Sequence, residues 1–351
     1  MMRSLSACVA MSLMLFACGL NRAASAQTAT AKSDIPERPS VTVSIGSFVV
    51  GFLPLPLAHA QGYFREQGLD VEPQNFGAGG GKALQALVGG STDAVLGSYD
   101  HTMLMQAQGK DIQCLILLNK EPGIALAVRK DLAGRIRTVQ DLKGAKIGIT
   151  GPGSAADNMT RYLIAKAGMA RDDVDIVAVG SGAKAIAAIE NHEIDAVVQY
   201  DPAITVIQRN GLADVLIDLR KPEGTQAIFG GDYPYTCLYA TTAFIERNPV
   251  TVQRLVNAFA KSLAFIHDRS PEEIADATPA EYQLGGRDVF IDVLANSKSM
   301  FPASGRFDPA DLERARQFLA TFDEKVRSAA IRMGDTYTNR FVDAVPAGIG
   351  R

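Results

Sequence analysis

The stretch from Gly80 to Val95, G-G-K-A-L-Q-A-L-V-G-G-S-T-D-A-V, occurs a second time 102 positions further on. The shift lays Gly80 on Gly182, Lys82 on Lys184, Ala83 on Ala185, Ala86 on Ala188 and Asp93-Ala94-Val95 on Asp195-Ala196-Val197, while Leu84 and Leu87 meet Ile186 and Ile189. A fainter echo, offset by 106, pairs Gly62 with Gly168, Arg65 with Arg171 and Val71 with Val177. A period this long is not that of a solenoid, so the repeat reads as two similar lobes. In each copy a glycine turn opens an alanine-rich amphipathic helix and a short apolar strand follows, which is half of a β-α-β unit. Ligands of such units sit beyond the carboxyl ends of the strands, where helix N-termini present free N–H groups. A cleft between the lobes is the expected binding place.

The chain of 351 residues is long enough for two domains with cores of their own. Residues 1–26 combine Arg3, an apolar run from Leu5 to Ala17 and Ala24-Ser25-Ala26, the pattern of a secretory signal. The run is too short to span a bilayer. Leu15-Phe16-Ala17-Cys18 offers a second, less favoured processing site, with a lipid on Cys18. Either outcome puts the body of the protein outside the cytoplasm, in the periplasm. Removing residues 1–26 takes away Arg3 and Arg22 and no acid, so the formal charge moves from −3 to −5. An acidic body argues against nucleic acid as a partner. The two cysteines beyond the signal, Cys114 and Cys237, lie in apolar, strand-like runs and read as buried thiols, with a disulfide left open because export permits one.

Residues 27–40 are polar, carry Pro36 and Pro39, and read as a flexible tether. A strand is expected from Val41, a helix over Leu57–Phe64 and a strand at Leu69–Glu72, before the first copy of the repeat and the apolar strand Ile112–Leu118. Thr138-Val139-Gln140-Asp141-Leu142-Lys143-Gly144 has the caps of a one- to two-turn helix. The strand Lys146–Ile149 then enters Gly151-Pro152-Gly153-Ser154 and the helix Ala155–Ala167. Asn248-Pro249 and Asp308-Pro309 each cap a scaffold helix with an apolar stripe. The second lobe reads as complete by about Gly231. The expected division is therefore 41–119 with 235–345 as one lobe and 120–234 as the other, joined by two crossings near Asn119–Gly123 and Gly231–Tyr235 that make a hinge.

The T-V-Q-D-L-K-G-A-K-I-G-I segment, the glycine-serine turn after it, A-Q-G-Y-F-R-E-Q-G-L-D-V-E at Ala60–Glu72 and the two D-A-V strands resemble the solute-binding proteins of ABC importers. Within these the chain is similar to the sulfonate, taurine and nitrate group, which also contains binders of thiamine-precursor pyrimidines. The resemblance covers about Val41 to Phe322. It implies an α/β, two-lobed type II periplasmic binding protein fold, each lobe a mixed sheet flanked by helices, with a small organic anion in the cleft. It also implies a membrane permease as partner, a monomer, and no cofactor or metal.

Catalytic readings fail on particular residues. Gly77–Ala83 has Phe76 where a phosphate loop needs its first glycine, and Ala83 where it needs Ser or Thr. Gly151-x-Gly153-x-x-Ala156 fits the dinucleotide fingerprint, yet the next strand ends in Val179-Gly180-Ser181 with no acid for a ribose. His59, His101, His192 and His267 have no metal-ligand spacing. The alternative to a binding protein is an enzyme of the same fold, because the family also resembles a yeast-type pyrimidine synthase, whose cysteine cluster this chain lacks, and a cytoplasmic menaquinone-pathway group.

Candidate ligand contacts are the residues at strand ends that precede helices. In the first lobe these are Ser47, Phe48, Gly80, Gly81, Lys82, Ser98, Tyr99 and Asp100; in the second they are Gly153, Ser154, Ser181, Gly182, Lys184, Tyr200 and Asp201, with Tyr233 at a crossing. Tyr200-Asp201-Pro202 matches the shape of the family's aromatic-acid-Pro motif, with Tyr in place of the usual Trp. Phe48, Tyr99, Tyr200 and Tyr233 are candidate aromatic walls. Ser98, Ser154, Ser181 and backbone N–H groups suit the oxygens of a sulfonate or carboxylate. Asp100 and Asp201 would suit an amino group.

Overall fold

The computed structural model describes residues 34–349. The expected signal and the Cys18 site lie outside the described residues, as do the first seven positions of the expected tether. Two five-stranded mixed sheets form the two lobes. The first contains β1 (Ser40–Ile45), β2 (Asp70–Asn75), β3 (Ala94–Ser98), β4 (Ile112–Leu117) and β10 (Thr236–Thr241) in the order β2-β1-β3-β10-β4. The second contains β5 (Ile124–Arg129), β6 (Lys146–Ile149), β7 (Asp175–Ala178), β8 (Ala196–Tyr200) and β9 (Ala213–Asp218) in the order β7-β6-β8-β5-β9. The orders correspond strand for strand. In each sheet one strand runs antiparallel to both neighbours, β10 in the first and β5 in the second, and each is the strand that enters directly from the other lobe.

The repeat falls on equivalent elements. Its copies form the helices Gly80–Val88 and Ala183–Glu190 and the central strands β3 and β8. The shared acid has the same task twice: Asp93 accepts the Thr42 N–H at 3.0 Å and Asp195 accepts the Lys146 N–H at 2.9 Å, so each ties its own strand to the neighbouring first strand of the sheet. Gly62 and Gly168 both take φ 73°, a left-handed conformation that closes the preceding helix. Because of that turn, the helix expected over Leu57–Phe64 is two short ones, Pro54–Ala60 and Tyr63–Glu66. The expected helix at Thr138–Gly144 is a single 3-10 turn, Gln140–Leu142, fastened by the Asp141 carboxylate to the N–H and hydroxyl of Thr138.

At the end of the tether, Glu37 accepts hydrogen bonds from the N–H groups of Val250 and Thr251 and so caps the helix Pro249–Asp268. Burial opposes its charge, but these N–H groups hold the carboxyl below the usual range.

Cys114 and Cys237, read from sequence as thiols, are joined in a disulfide. Apolar runs alone could not show that they sit on neighbouring antiparallel strands, β4 and β10, with Cα atoms 5.9 Å apart. The helices after β10 are not confined to the first lobe. Arg287–Ser297 packs on Ala203–Arg209, and Pro309–Phe322 packs on both Asp100–Gln106 and Ala155–Lys166. One apolar cluster accordingly runs through both lobes, with Phe318 against Tyr162, Phe229 and Tyr233 at its centre.

Candidate functional site

The carboxyl ends of both sheets face a common cleft, whose floor is the two chain crossings. The lobes meet there through backbone as well as side chains. A β-carbon on Gly81 would stand 2.7 Å from the Pro152 carbonyl oxygen, and one on Gly151 would stand 2.8 Å from that of Ala78. Only glycine allows this approach. Three further links cross the cleft: the Val50 N–H to the Asp201 carbonyl at 2.9 Å, the Asn158 amide to the Asp100 carboxylate at 2.6 Å, and the paired hydroxyls of Tyr200 and Tyr235 at 2.8 Å.

Two cavities lie in this cleft and share Ser47, Val49 and Tyr200 as walls. The inner one, about 30 Å³, is lined by Ser47, Gly80, Ser98, Ser154 and Tyr200 among the expected residues. The outer one, about 340 Å³, is lined by Ser47, Phe48, Ser181, Gly182, Lys184, Tyr200 and Asp201. Phe48 and Tyr282, whose ring centroids are 4.7 Å apart, supply its aromatic wall.

Six expected residues line neither cavity. Gly81 and Gly153 are occupied in the contact between the lobes. Lys82 is exposed. Tyr99 is buried, its hydroxyl bonded to that of Thr336 at 2.5 Å, and Tyr233 belongs to the aromatic cluster around Phe318. Asp100 is buried against Asn158. Asp201 lines the outer cavity but is committed elsewhere, since its carboxylate meets the Arg220 guanidinium at 3.2 Å and the Thr205 hydroxyl at 2.8 Å. Asp201 is therefore not free to hold an amino group, and Asp100, whose Oδ1 has no hydrogen-bond partner, lines neither cavity. Ser154 caps its helix by accepting the Asp157 N–H at 3.2 Å.

The structure also brings in residues that the strand-end rule passes over. His101, Asn119, Thr150, Tyr235 and Thr236 line the inner cavity. Asn119 and Tyr235 lie on the crossings, and His101 is one position inside a helix rather than at its start. Burial holds the His101 imidazole below its ordinary pKa against the opposing pull of the Asp100 carboxylate, so the ring is neutral at pH 7. Its Nδ1 pairs with the Tyr239 hydroxyl at 2.9 Å. Burial likewise raises the phenols of Tyr200 and Tyr235. Among the described residues no group of three His, Cys, Asp or Glu is placed to hold a metal ion.

A family model described as NMT1/THI5 like matches residues 50–274. The chain is similar to YtlA, a candidate binding protein of Bacillus subtilis strain 168, with 24% identity over 78% of this chain and 79% of YtlA. It is 27% identical, over 61% of its length and 63% of the relative's, to the 4-amino-5-hydroxymethyl-2-methylpyrimidine phosphate synthase THI13 of Saccharomyces cerevisiae. Among solved structures, a protein of Bordetella bronchiseptica RB50 superposes with a TM-score of 0.84 at 35% identity, covering 88% of this chain and 97% of that one. The alkanesulfonate-binding protein SsuA of Xanthomonas axonopodis pv. citri, bound to MOPS, gives a TM-score of 0.69 at 19% identity, covering 86% and 99% of the two chains, which establishes likeness of fold.

Proposed function

Since the chain belongs to the NMT1/THI5-like family and has the fold of periplasmic solute-binding proteins, we propose that it is the extracytoplasmic solute-binding component of an ABC importer. It captures a small organic anion of the alkyl or aryl sulfonate, taurine or nitrate type between the lobes 41–119 with 235–345 and 120–234, and delivers it to a membrane permease. The observation that carries this reading is the outer cavity. At about 340 Å³ it has room for such a molecule; the helix Ala183–Glu190 begins on its wall, and Lys184 adds a cation beside Ser181 and Gly182. The inner cavity, at about 30 Å³, is much the smaller of the two. We accordingly assign the anionic group to the outer end.

A binding protein gains thermal stability from its ligand and leaves it chemically unchanged. Thermal unfolding of the purified chain against a panel of small organic anions, with mass spectrometry of the recovered compound, tests this. A shift without conversion is expected, and conversion of the compound would assign an enzyme instead. A second reading, a neutral aminopyrimidine whose amino group alone reaches the inner cavity, is favoured by the lining of that cavity, which includes His101, Asn119 and Tyr235 but neither Lys nor Arg.

A further inference from the structure

Three side chains on the wall of the inner cavity are at least nine-tenths buried and have a polar atom without a partner in the protein: Ser98 through Oγ, His101 through Nε2 and Asn119 through Oδ1. Leaving such atoms unmatched in a dehydrated site is costly, so their convergence in one small space is informative. Asn119 is the least ambiguous of them. Its Nδ2 donates to the Leu118 carbonyl at 2.7 Å, which leaves Oδ1 as a fixed acceptor. His101 is neutral, with Nδ1 engaged by Tyr239, and Ser98 can donate or accept.

The helices Gly80–Val88 and Ala155–Lys166 both begin on this wall, so their positive ends face the same space. An ammonium group would meet those dipoles after losing its water, and no carboxylate lines the cavity to repay it. A neutral donor does not suffer this. With about 30 Å³ there is room for one amino, hydroxyl or methyl-sized group. The shared walls Ser47, Val49 and Tyr200 make the inner cavity continuous with the larger one, so one ligand can occupy both.

We propose that the Asn119, His101 and Ser98 cluster is a specificity subsite for an uncharged amino or hydroxyl group, and that the ligand is an aromatic anion carrying that group at the end remote from its charge. This rests on the reading of the chain as a solute-binding protein. It replaces Asp100 and Asp201 as the recognisers of an amino group, and it disfavours alkyl ammonium compounds.

Matched pairs test it by titration calorimetry: 4-aminobenzenesulfonate against benzenesulfonate, 2-aminoethanesulfonate against ethanesulfonate, and 4-aminopyrimidine against pyrimidine. The aromatic amine is expected to bind tenfold or more tighter than benzenesulfonate, because the unsubstituted ring leaves Asn119 Oδ1 unmatched. The ammonium compound is expected to bind no tighter than ethanesulfonate. Asn119→Leu should remove the aromatic preference, so that 4-aminobenzenesulfonate and benzenesulfonate bind alike, and Ser98→Ala offers a second variant should the first not fold. Equal affinity for 4-aminobenzenesulfonate and benzenesulfonate overturns the subsite and leaves the anion reading intact. A tenfold preference for 2-aminoethanesulfonate overturns the uncharged donor. Binding of 4-aminopyrimidine alone, tighter than pyrimidine, supports the subsite and overturns the anion reading, whereas binding of none of the six overturns both.

Discussion

Asn158 of the second lobe donates its side-chain amide to the Asp100 carboxylate of the first at 2.6 Å, in a place where both residues are buried. The bond joins the start of one helix, Asp100–Gln106, to the first turn of another, Ala155–Lys166, and it exists only while the lobes are together. A hydrogen bond to a buried charge contributes about 1.5–3 kcal/mol, and cutting it leaves the carboxylate without its one partner. Asn158→Ala should therefore shift the population toward separated lobes and lower ligand affinity about tenfold or more. Calorimetry together with small-angle scattering of the free and liganded variant checks this. Wild-type affinity in the variant would remove the bond from the closing equilibrium.

The glycine contact makes a sharper wedge. Gly81 has an ordinary backbone conformation, so a side chain there does not strain its own lobe, but its β-carbon would stand 2.7 Å from the Pro152 carbonyl oxygen of the other. Gly81→Val should hold the lobes apart. The expected signature is a larger radius of gyration, binding reduced at least tenfold, and thermal stability of the unliganded protein within about 1 kcal/mol of wild type. An unchanged radius of gyration with normal binding would show that the loops slide past each other.

How much of this was legible in the chain follows from what repeats. The two helices and central strands could be read because Ala83, Leu84, Leu87 and their counterparts Ala185, Ile186 and Ile189 keep one helical face apolar, and because Asp93 and Asp195 serve corresponding neighbouring strands, β1 and β6. Ser47 and Tyr200, at strand ends, do line both cavities. The floor of the cleft left no such trace. Asn119 and Tyr235 lie on crossings, where no periodicity applies, and His101 reaches the cavity only through the packing of its helix. Asp100 and Asp201 show the same limit: a sequence shows an acid at a strand end but not the Asn158 that bonds one oxygen of the first or the Arg220 that pairs with the second. Cys114 and Cys237, 123 positions apart, are brought together by a strand that returns from the other lobe.

Glu121, on the first crossing, should make stability depend on pH. The residue is fully buried with neither carboxylate oxygen hydrogen-bonded, and burial pushes its pKa up to about 7; Lys120 opposes the shift, while Asp232 and Glu223 add to it. Between the unfolded value of about 4.5 and the folded value the native state binds the extra proton, so stability falls as pH rises through that window and levels off above about 7. Glu121→Gln should flatten the slope and stabilise the protein at pH 8 on the order of 2 kcal/mol. Denaturant titrations at pH 5 and 8 measure it. A variant less stable than wild type at pH 8 would mean that the carboxylate is satisfied when ionised.

The repeat itself supplies the control for the charge of the ligand. Lys82 and Lys184 occupy the same position in the two copies and both are exposed, yet Lys184 lines the outer cavity while Lys82 lines neither. If an anionic group lies at Ser181–Lys184, reversing the charge at Lys184 turns attraction into repulsion in a half-open site, worth about 1–2 kcal/mol, or roughly tenfold in affinity. Lys184→Glu should thus weaken binding of whichever benzenesulfonate is taken up, and the loss should shrink at about 0.5 M salt as the charges are screened. Lys82→Glu changes net charge by the same amount and should leave affinity within about twofold. Equal losses in the two variants would point to long-range attraction by the whole protein. No loss in either would place the anionic group elsewhere, away from the start of the helix Ala183–Glu190.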